Sequence, residues 1–414
     1  MKNVTLIHCY SDHNYGDLGI ILSTVDLIQD FDEDFKINCV STYNSSDERF
    51  KTEHVLLKER LNKIGGKVYP ALFGIVDRTD SLYYLTSFLN LIRFLLILPF
   101  IKVSFIRRLF LTKQEESTYE MLNNSDIIVS KGGSFFCDDT GKLGSLSFFR
   151  LWYVALFSIK LNKKVVILAQ SIGPLHKNFS KKFGNYLLEK LYKIVLREDY
   201  CLKKYPYLLN RDYLKNTDVV FFQKIFNAEP RSSTNGTVGV TIKYVDSDQD
   251  KYMLLMSKIV TYLVSQHGLN VKMLPQVPLD GDLKASSEVK NLVPIELHDK
   301  IEIVDDFHNV QKLIQEYSLL DFVVGTRLHS CIFSWSVNVP AINISYHGTK
   351  SKGVYANLRL EDWVLDYSSS DSFEKAMVLI NHAIDNRDLI IENAQTSINK
   401  SRIEMFELLK EEIF

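Results

Sequence analysis

Short runs of β-branched and apolar residues alternate along the chain with longer amphipathic stretches. Apolar runs of this length, separated by helical patterns, are typical of parallel strands that helices cover on both faces. The pattern therefore predicts an α/β protein built from βα units. The predicted strands are Val4–Cys9, Ile37–Ser41, Asp126–Val129, Val165–Ala169, Val238–Ile242, Val271–Leu274, Asp321–Val324 and Ala341–Ile344. The predicted helices include Gly19–Gln29, Phe149–Leu161, Lys181–Lys193, Asp250–Gln266 and Val310–Tyr317.

A polar stretch rich in Ser, Pro and Gly interrupts this alternation at residues 228–236 and is followed by a fresh strand. Such breaker-rich stretches are typical of linkers. The 414 residues suffice for two or three domains, at roughly 150 residues each. We therefore predict one α/β domain over about 1–225 and a second over about 236–385. The final segment, 386–414, has a long helical pattern that can pack on either domain.

Composition and charge exclude several classes of protein. With 46% apolar and 24% charged residues, the chain is neither disordered, collagen-like nor a membrane bundle. A net charge of -1 argues against a protein that coats nucleic acid. The polar N-terminus and five widely spaced cysteines predict a cytoplasmic protein with reduced thiols. The cysteine spacing suggests neither a structural zinc nor a disulfide framework.

One segment departs from the average charge, because no acidic residue occurs between Ser81 and Gln114. Its apolar run Phe94–Ile101 is too short to cross a bilayer, which takes about 20 residues. Three interpretations of this insertion stay open: a helical pair on the first domain with solvated cations, peripheral contact with the inner face of the cytoplasmic membrane, or an oligomer interface. The cations of the segment are Arg93, Lys102, Arg107, Arg108 and Lys113.

Three loops follow predicted strands at one edge of the first sheet, where α/β proteins bind ligands. Helix starts and paired glycines at such an edge offer backbone amides to a substrate. The second loop is neither a Walker loop nor a G-x-G-x-x-G motif, so ATP or NAD binding has little support. The candidate residues are Asn14, Gly16 and Asp17 in the first loop, Lys131, Gly132, Gly133 and Ser134 in the second, and Ser171 and Gly173 in the third.

A cation and a histidine follow the predicted strand that ends at Val324. Arg327 offers a planar fork that matches carboxylate or phosphate, and His329, two residues on, is a residue type that can both give and accept a proton. This pair suits a reaction that binds an anion and moves a proton. Lys350 follows the next predicted strand, and Arg197 ends an apolar run in the first half. The alternative interpretation is a buried ion pair for each arginine and a core histidine for His329.

The ordered set of these motifs resembles the polysaccharide pyruvyl transferase family from about residue 10 to residue 355. The resemblance implies two Rossmann-like domains that face each other across a cleft, as in GT-B glycosyltransferases. It also implies transfer of the enolpyruvyl carbons of phosphoenolpyruvate onto two sugar hydroxyls, which gives a pyruvate ketal and phosphate. The motifs are Asn14–Asp17, Lys131–Ser134, Ser171–Pro174, Arg197-Glu198 and Gly325–Ser330.

The resemblance also implies roles for individual residues. His329 would be the catalytic acid/base. From the chemistry of the residues alone, Asp17 or Asp126 could assist it as a second base or orient a hydroxyl. Lys131 stands where the family commonly has a third glycine, and it brings an extra cation. Donor binding would fall to Arg327, Arg197, Lys350, Ser171 and Gly173. The acceptor loops would contain Asn14, Gly16, Asp17, Lys131, Gly132, Gly133 and Ser134.

Phosphoenolpyruvate enters this reaction as a co-substrate, and the scheme requires no metal and no other cofactor. The acceptor would be a sugar or a lipid-linked oligosaccharide from which a capsule, an exopolysaccharide or a cell-wall glycan is made. Two other functions fit the same sequence. One is a GT-B-type glycosyltransferase that uses a nucleotide sugar, and the other is a non-catalytic scaffold of a glycan assembly complex.

Overall fold

The computed structural model describes residues 2–73, 83–208, 211–223, 234–245, 247–277, 280–304, 310–346 and 349–414. Most of the predicted linker at 228–236 lies outside these ranges. The described chain packs into two units, and neither is continuous in sequence. The first unit contains Met1–Asp12, Ile20–Asp218 and Glu407–Phe414. The second contains His13–Gly19 and Val219–Phe406.

In the described part of the first unit, eight strands form one sheet in which neighbouring strands run parallel. The strands are β1 (Asn3–Cys9), β2 (Lys36–Ser41), β3 (Val68–Tyr69), β4 (Ile127–Ser130), β5 (Gly133–Phe136), β6 (Lys164–Ile172), β7 (Lys193–Leu196) and β8 (Leu214–Lys215). The strand order is β3-β2-β1-β4-β6-β7-β8, and β5 also pairs with β6.

Helices connect these strands, as βα units require. They are α1 (Tyr15–Phe31), α2 (Arg49–Thr52), α3 (Val55–Asn62), α4 (Tyr83–Ile97), α5 (Ser104–Phe110), α6 (Lys113–Asn123), α7 (Gly144–Lys160), α8 (Asn178–Lys190) and α9 (Tyr200–Lys204). Two 3₁₀ turns, Leu98–Phe100 and Pro206–Leu208, complete the set in this part of the described chain. The core gathers on α7, where Phe148, Trp152 and Tyr153 are fully buried. Its residues from Phe148 to Ser158 are buried except for one, as expected for a helix in a central position.

The second unit contains a parallel sheet of six described strands. They are β9 (Thr237–Thr241), β10 (Asn270–Met273), β11 (Ile301–Ile303), β12 (Val323–Gly325), β13 (Ala341–Ser345) and β14 (Val364–Asp366). The strand order is β11-β10-β9-β12-β13-β14. The helices are α10 (Gln249–His267), α11 (Asp282–Leu292), α12 (Val310–Ser318), α13 (Leu328–Ser336), α14 (Thr349–Ala356), α15 (Ser372–Asp385) and α16 (Arg387–Leu408). The short turns are Val219–Phe222, Ile295–Lys300 and Glu361–Trp363, and α16 is followed by the π-helical turn Leu409–Ile413, which groups with the first unit.

The prediction of an α/β protein with two parallel sheets is confirmed, and each predicted strand overlaps an observed one. Two local predictions were wrong. The helix predicted over Lys181–Lys193 ends at Lys190, because Lys193 already begins β7. Part of the second predicted loop is the strand β5, which lies beside β6. The predicted C-terminal helix is α16, and only its last residues group with the first unit.

Candidate active site

The segment Gly325–Ser330 forms the junction between β12 and α13 in the second unit. Gly325 ends the strand, Arg327 precedes the first helical residue, and His329 lies in the first turn. A side chain on Gly325 would collide with α13, since an added Cβ would lie 2.6 Å from the sulfur of Cys331. The glycine thus lets the strand pass directly into the helix, with the arginine and the histidine at its start.

Two carboxylates at the start of α11 hold the guanidinium of Arg327. Its Nε and Nη2 donate to the two oxygens of Asp282 at 2.7 and 2.6 Å, and Nη2 also donates to Asp280 at 2.8 Å. Asp282 is fully buried and also accepts hydrogen bonds from the amides of Gln276 and Val277. Burial acts to lower the pKa of Arg327, but the hydrogen bonds and charges of the two carboxylates outweigh it and raise that pKa.

These contacts orient Arg327 without using all of its donors. A guanidinium has five N–H groups, and the three on Nε and Nη2 bind the carboxylates. Among the residues that the structure describes, Nη1 has no hydrogen-bond partner. The side chain is 14% exposed. An arginine anchored in this way can present a fixed charge and two further N–H groups to an anion.

His329 is half-buried and lies against the first turn of α1. A Cβ added to Gly16 would lie 2.6 Å from Nδ1 of the imidazole and 2.9 Å from its Cγ. No real Cβ approaches a ring so closely, so a glycine at this position is what allows the imidazole to lie where it does. The packing therefore links the first predicted loop to the histidine, although more than 300 residues separate them.

The other residues of that loop build the helix start. Asn14 caps α1, because its Oδ1 accepts from the amide of Asp17 at 3.2 Å and its Nδ2 donates to the carboxylate of the same residue at 2.8 Å. One turn on, an added Cβ at Gly19 would lie 2.6 Å from the ring of Phe333 on α13. Two glycines thus let the start of α1 approach α13. We predicted this loop within the first domain, and its packing groups it with the second unit.

Two lysines follow strands of the same sheet. Lys350 is the second residue of α14 and is half-buried, and residues 347–348 just before this helix lie outside the described ranges. Lys243 follows β9, the neighbour of β12, and its Nζ donates to the hydroxyl of Tyr346 at 3.1 Å. The ammonium also lies 4.2 Å from the centre of that ring. The carboxyl ends of neighbouring parallel strands meet at one edge, so Lys243 is a further cation at the edge that carries Arg327.

The glycine pair of the first unit has a structural explanation. An added Cβ at Gly132 would lie 2.7 Å from the carbonyl oxygen of Ala169, so the close approach of β6 requires a glycine. Gly133 has a φ of +128°, which side chains rarely allow. Lys131 is almost fully buried, and its ammonium lies 5.0 Å from the centre of the Phe135 ring. Ser134 is half-buried in the strand that follows.

His8 lies beside Lys131 at the end of β1, with its Nδ1 2.9 Å from Ser130 and its Nε2 3.0 Å from the Leu151 carbonyl. Burial, and then the charge of Lys131, lower the pKa of His8 from 6.5 to about 3. The folded protein thus keeps this ring neutral while the unfolded chain takes up a proton below about pH 6.5. The stability that follows is present above pH 6.5 and is lost as the pH falls toward 3.

We therefore expect His8→Asn to remove part of the acid sensitivity of the first unit. Asparagine tolerates the φ of +68° at this position. Between pH 7 and pH 4, the wild-type free energy of unfolding should fall by about 3 kcal/mol more than that of the variant. Denaturant unfolding of both proteins across this pH range measures the difference. Equal pH dependence of the two proteins would contradict the prediction.

Arg197 contacts Ser171 inside the first unit. Its Nε donates to the Ser171 hydroxyl at 2.9 Å, and its Nη1 donates to Asp218 at 2.6 Å. Both charged side chains are 1% exposed. This contact matches the alternative that the sequence left open, a buried ion pair. Gly173, two residues after the serine, has a φ of +85°, and an added Cβ would lie 2.5 Å from Leu208.

Asp126 lies away from the loops that follow the strands. It is exposed, precedes β4, and accepts the amide of Asn3 at 2.7 Å. The candidate loop begins at the other end of the same strand, after Ser130. Two carboxylates were candidates to assist His329. Of these, only Asp17 is next in sequence to Gly16, the residue against which the imidazole packs.

Residues 14–348 match the polysaccharide pyruvyl transferase family. The chain belongs to this family. The match covers well over half of the 414 residues and contains all the candidate residues except Lys350. It confirms the resemblance that the motifs indicated.

Comparison with known proteins gives a distant relative and a shared fold. The amylovoran biosynthesis protein AmsJ of Erwinia amylovora is 21% identical over 425 aligned positions, which cover 97% of this chain and 96% of that protein. The UDP-GlcNAc 2-epimerase of Neisseria meningitidis has a TM-score of 0.54 at 10% identity, over 99% of this chain and 100% of that one. The epimerase of Methanocaldococcus jannaschii has a TM-score of 0.52 at 11% identity, over 93% of both chains. At such identity these structures show the fold alone, which is the predicted pair of Rossmann-like domains.

Sequence reasoning missed the carboxylates around Arg327 and the lysine after β9. Asp280 and Asp282 follow β10, and Lys243 follows β9, so each succeeds a predicted strand of the second sheet. Their location just after a predicted strand was the one feature of the sequence that could have indicated them. It did not single them out, because the chain has 50 acidic and 49 basic side chains, and nothing in the local sequence distinguishes the ones that pair with a distant arginine.

Proposed function

We propose that this member of the family transfers the enolpyruvyl group of phosphoenolpyruvate onto two hydroxyls of a sugar, and that it forms a pyruvate ketal and releases phosphate. One observation carries the proposal: an oriented arginine and a half-buried histidine share the start of α13. Arg327 is fixed by Asp282, and His329 lies against Gly16. An anion-binding group and a proton-transferring group are thus held by one short segment.

The donor needs cations, because phosphoenolpyruvate carries a carboxylate and a phosphate. Arg327 supplies Nη1 for one of these anionic groups, and the N-terminus of α13 adds amide groups and a partial positive charge. Lys350 and Lys243 are the further cations that follow strands of this sheet. The buried contact with Asp218 supports a positioning role for Arg197, which holds the Ser171 hydroxyl in place rather than binding the donor directly.

The reaction takes two protons from the sugar hydroxyls and delivers one to C3 of the donor and one to the departing phosphate. The first sugar hydroxyl forms a bond to C2 of the donor and loses its proton, while C3 gains a proton and becomes a methyl group. The C2–O bond to phosphate then breaks and the departing phosphate oxygen gains a proton. The second hydroxyl closes the ketal at C2 and loses its proton. We assign the proton transfers to His329, with Asp17 as the group that orients it or accepts a hydroxyl proton. Such general acid–base catalysis contributes about 10²–10⁴-fold.

The acceptor belongs to polysaccharide biosynthesis in this proposal. The family match and the similarity to an amylovoran biosynthesis protein support a glycan acceptor. We propose that it is a sugar of a capsule, exopolysaccharide or cell-wall precursor, carried free or on a lipid, and that the protein acts in the cytoplasm. Holding both hydroxyls against C2 makes ring closure intramolecular, an advantage of roughly 7–11 kcal/mol when the geometry is right.

Donor binding tests the role of Arg327. Phosphoenolpyruvate should raise the melting temperature of the protein, because a ligand that binds the folded state stabilises it. Arg327→Ala should weaken that binding about 10–100-fold, since a hydrogen bond to a charged group contributes about 1.5–3 kcal/mol. Titration calorimetry with phosphoenolpyruvate gives the affinities of both proteins.

Lys272→Ala is the matched control, because it removes a cation of the same unit whose partner is Glu316. Its affinity for phosphoenolpyruvate should equal that of the wild type. If Arg327→Ala also keeps wild-type affinity, Arg327 does not bind the donor. If a nucleotide-diphosphate sugar stabilises the protein and phosphoenolpyruvate does not, the function is that of a glycosyltransferase.

A further inference from the structure

A helical hairpin rises from the first unit between β3 and β4, and it has two apolar faces. It consists of α4, the turn after it and α5, and we call it the α4–α5 hairpin. Phe94 and Ile97 form its buried face, and the ring of Phe94 lies 5.0 Å from Phe73 and 5.1 Å from Tyr153. The hydroxyl of Tyr153 donates to the Phe94 carbonyl at 2.8 Å. The hairpin is therefore anchored on the core of the first unit, as the first of the three interpretations expected.

The second apolar face is open. On α4 the exposed apolar side chains follow at helical spacing, and on α5 Phe105 is 72% exposed and Leu109, one turn on, is 67% exposed. Soluble monomers rarely expose large continuous apolar patches, and such patches mark binding surfaces. The exposed apolar residues of the hairpin are Phe88, Leu89, Ile92, Leu95, Leu96, Phe100, Val103, Phe105 and Leu109.

The charges of the segment divide into two groups. Arg93 forms a two-pronged ion pair with Glu115, and Arg107 pairs with Glu116 at 2.9 Å, so these cations belong to the scaffold. Their ion pairs also engage the two acidic residues that follow the segment. The remaining cations of the hairpin and its flank are exposed: Lys102, Arg108 and Lys113. No acidic residue lies between Ser81 and Gln114 to offset them.

We propose that the open face of the α4–α5 hairpin docks the protein on an anionic membrane surface. Exposed Phe and Leu side chains next to Lys and Arg are the composition of helices that lie in the lipid interface, where the rings enter the acyl boundary and the cations meet lipid phosphates. The 15 residues of α4 are too few to cross a bilayer. None of the described helices is long and apolar enough to do so.

Charge favours a lipid surface over a second copy of the chain. In a symmetric dimer built on this face, both copies would contribute the same patch. The positive charges of Lys102, Arg108 and Lys113 would then repel those of the partner copy. Anionic headgroups neutralise the same three cations and leave the apolar side chains to insert. The surface thus fits a partner in which a negatively charged layer lies directly above an apolar one. The headgroups and acyl chains of an anionic leaflet have this arrangement.

Flotation with vesicles tests the proposal on the full-length protein, with circular dichroism to confirm that each variant is folded. Wild-type protein should float with vesicles of 70% phosphatidylcholine and 30% phosphatidylglycerol, and much less with pure phosphatidylcholine. Phe105→Ser with Leu109→Ser should lower the partition coefficient at least tenfold. Lys102→Gln, Arg108→Gln and Lys113→Gln together should lower it about a hundredfold, at about fivefold per charge. Half-molar salt should weaken binding of the wild type.

Ile295→Ser with Val378→Ser is the matched control, because both side chains are highly exposed apolar residues of the second unit. This double variant should float like the wild type. The proposal would be overturned if the wild-type protein floats with neither kind of vesicle. It would also be overturned if the Phe105→Ser/Leu109→Ser variant floats as well as the wild type. If the wild-type protein never floats but is a dimer, and the Phe105→Ser/Leu109→Ser variant is a monomer, the face binds a second copy of the chain. Vesicle binding does not depend on turnover, so these results are separate from those on the proposed reaction.

Discussion

Replacing His329 by alanine is expected to lower turnover about 10²–10⁴-fold, the usual contribution of a general acid–base group. The imidazole lies in the first turn of α13 next to Arg327, which is fixed on its own carboxylates and does not depend on the histidine. Phosphoenolpyruvate should therefore still bind to the variant with nearly wild-type affinity. The measurement combines phosphate release with titration calorimetry on the same preparations.

His329→Gln separates proton transfer from shape. Glutamine keeps a polar side chain of similar length and can hydrogen-bond, but it does not exchange protons near neutral pH. Its turnover should be as low as that of His329→Ala. Turnover near the wild-type rate in either variant would mean that another group moves the protons. A loss of donor binding equal to the loss of turnover would instead assign the histidine to anion recognition.

Gly16→Ala is expected to have the next largest effect, although it adds only one methyl group far from the histidine in sequence. The new Cβ would lie 2.6 Å from Nδ1 of His329, so the ring must move. Displacement of a catalytic group by about 1 Å can lower the rate about 100-fold. We expect a loss of that size in turnover, with phosphoenolpyruvate affinity preserved.

Gly19→Ala is the matched control for this substitution. It lies one turn further along α1 in the same unit, and its Cβ would meet the ring of Phe333 at 2.6 Å instead of the histidine. Both variants should lower the melting temperature because both add a methyl group to a tight contact. Only Gly16→Ala should lose most of its turnover. If the two variants lose turnover equally, loosened packing explains the effect and the position of His329 does not.

The fold could be predicted from sequence where burial makes the pattern plain. Strands such as Val165–Ala169 are buried on both faces, so they read as continuous apolar runs. The strands that were missed, such as β3 and β8, have two residues each and show no period. The assignment of residues 13–19 to the second unit could not be predicted, because it rests on contacts with His329 and Phe333 that a local pattern does not contain.

The candidate site shows the same limit at the level of single side chains. The residue types and spacing singled out Arg327 and His329 as candidates. They could not show that Asp282 fixes the arginine, or that Asp218 pairs with Arg197 inside the first unit. Similarly, a count of cations in the basic segment could not separate Arg93 and Arg107, which are ion-paired, from the exposed ones. Pairing over long sequence distances is a property of the packed chain.

Transfer of labelled carbon from the donor to a sugar tests the proposed reaction most directly. Wild-type protein is incubated with phosphoenolpyruvate labelled with ¹³C at all three carbons and a panel of free and lipid-linked glycosides. Mass spectrometry should find an acceptor that has gained one labelled pyruvate ketal, with one phosphate released for each ketal formed. An acceptor that instead gains a sugar from an added nucleotide sugar, while the labelled donor stays intact, would contradict the proposed function.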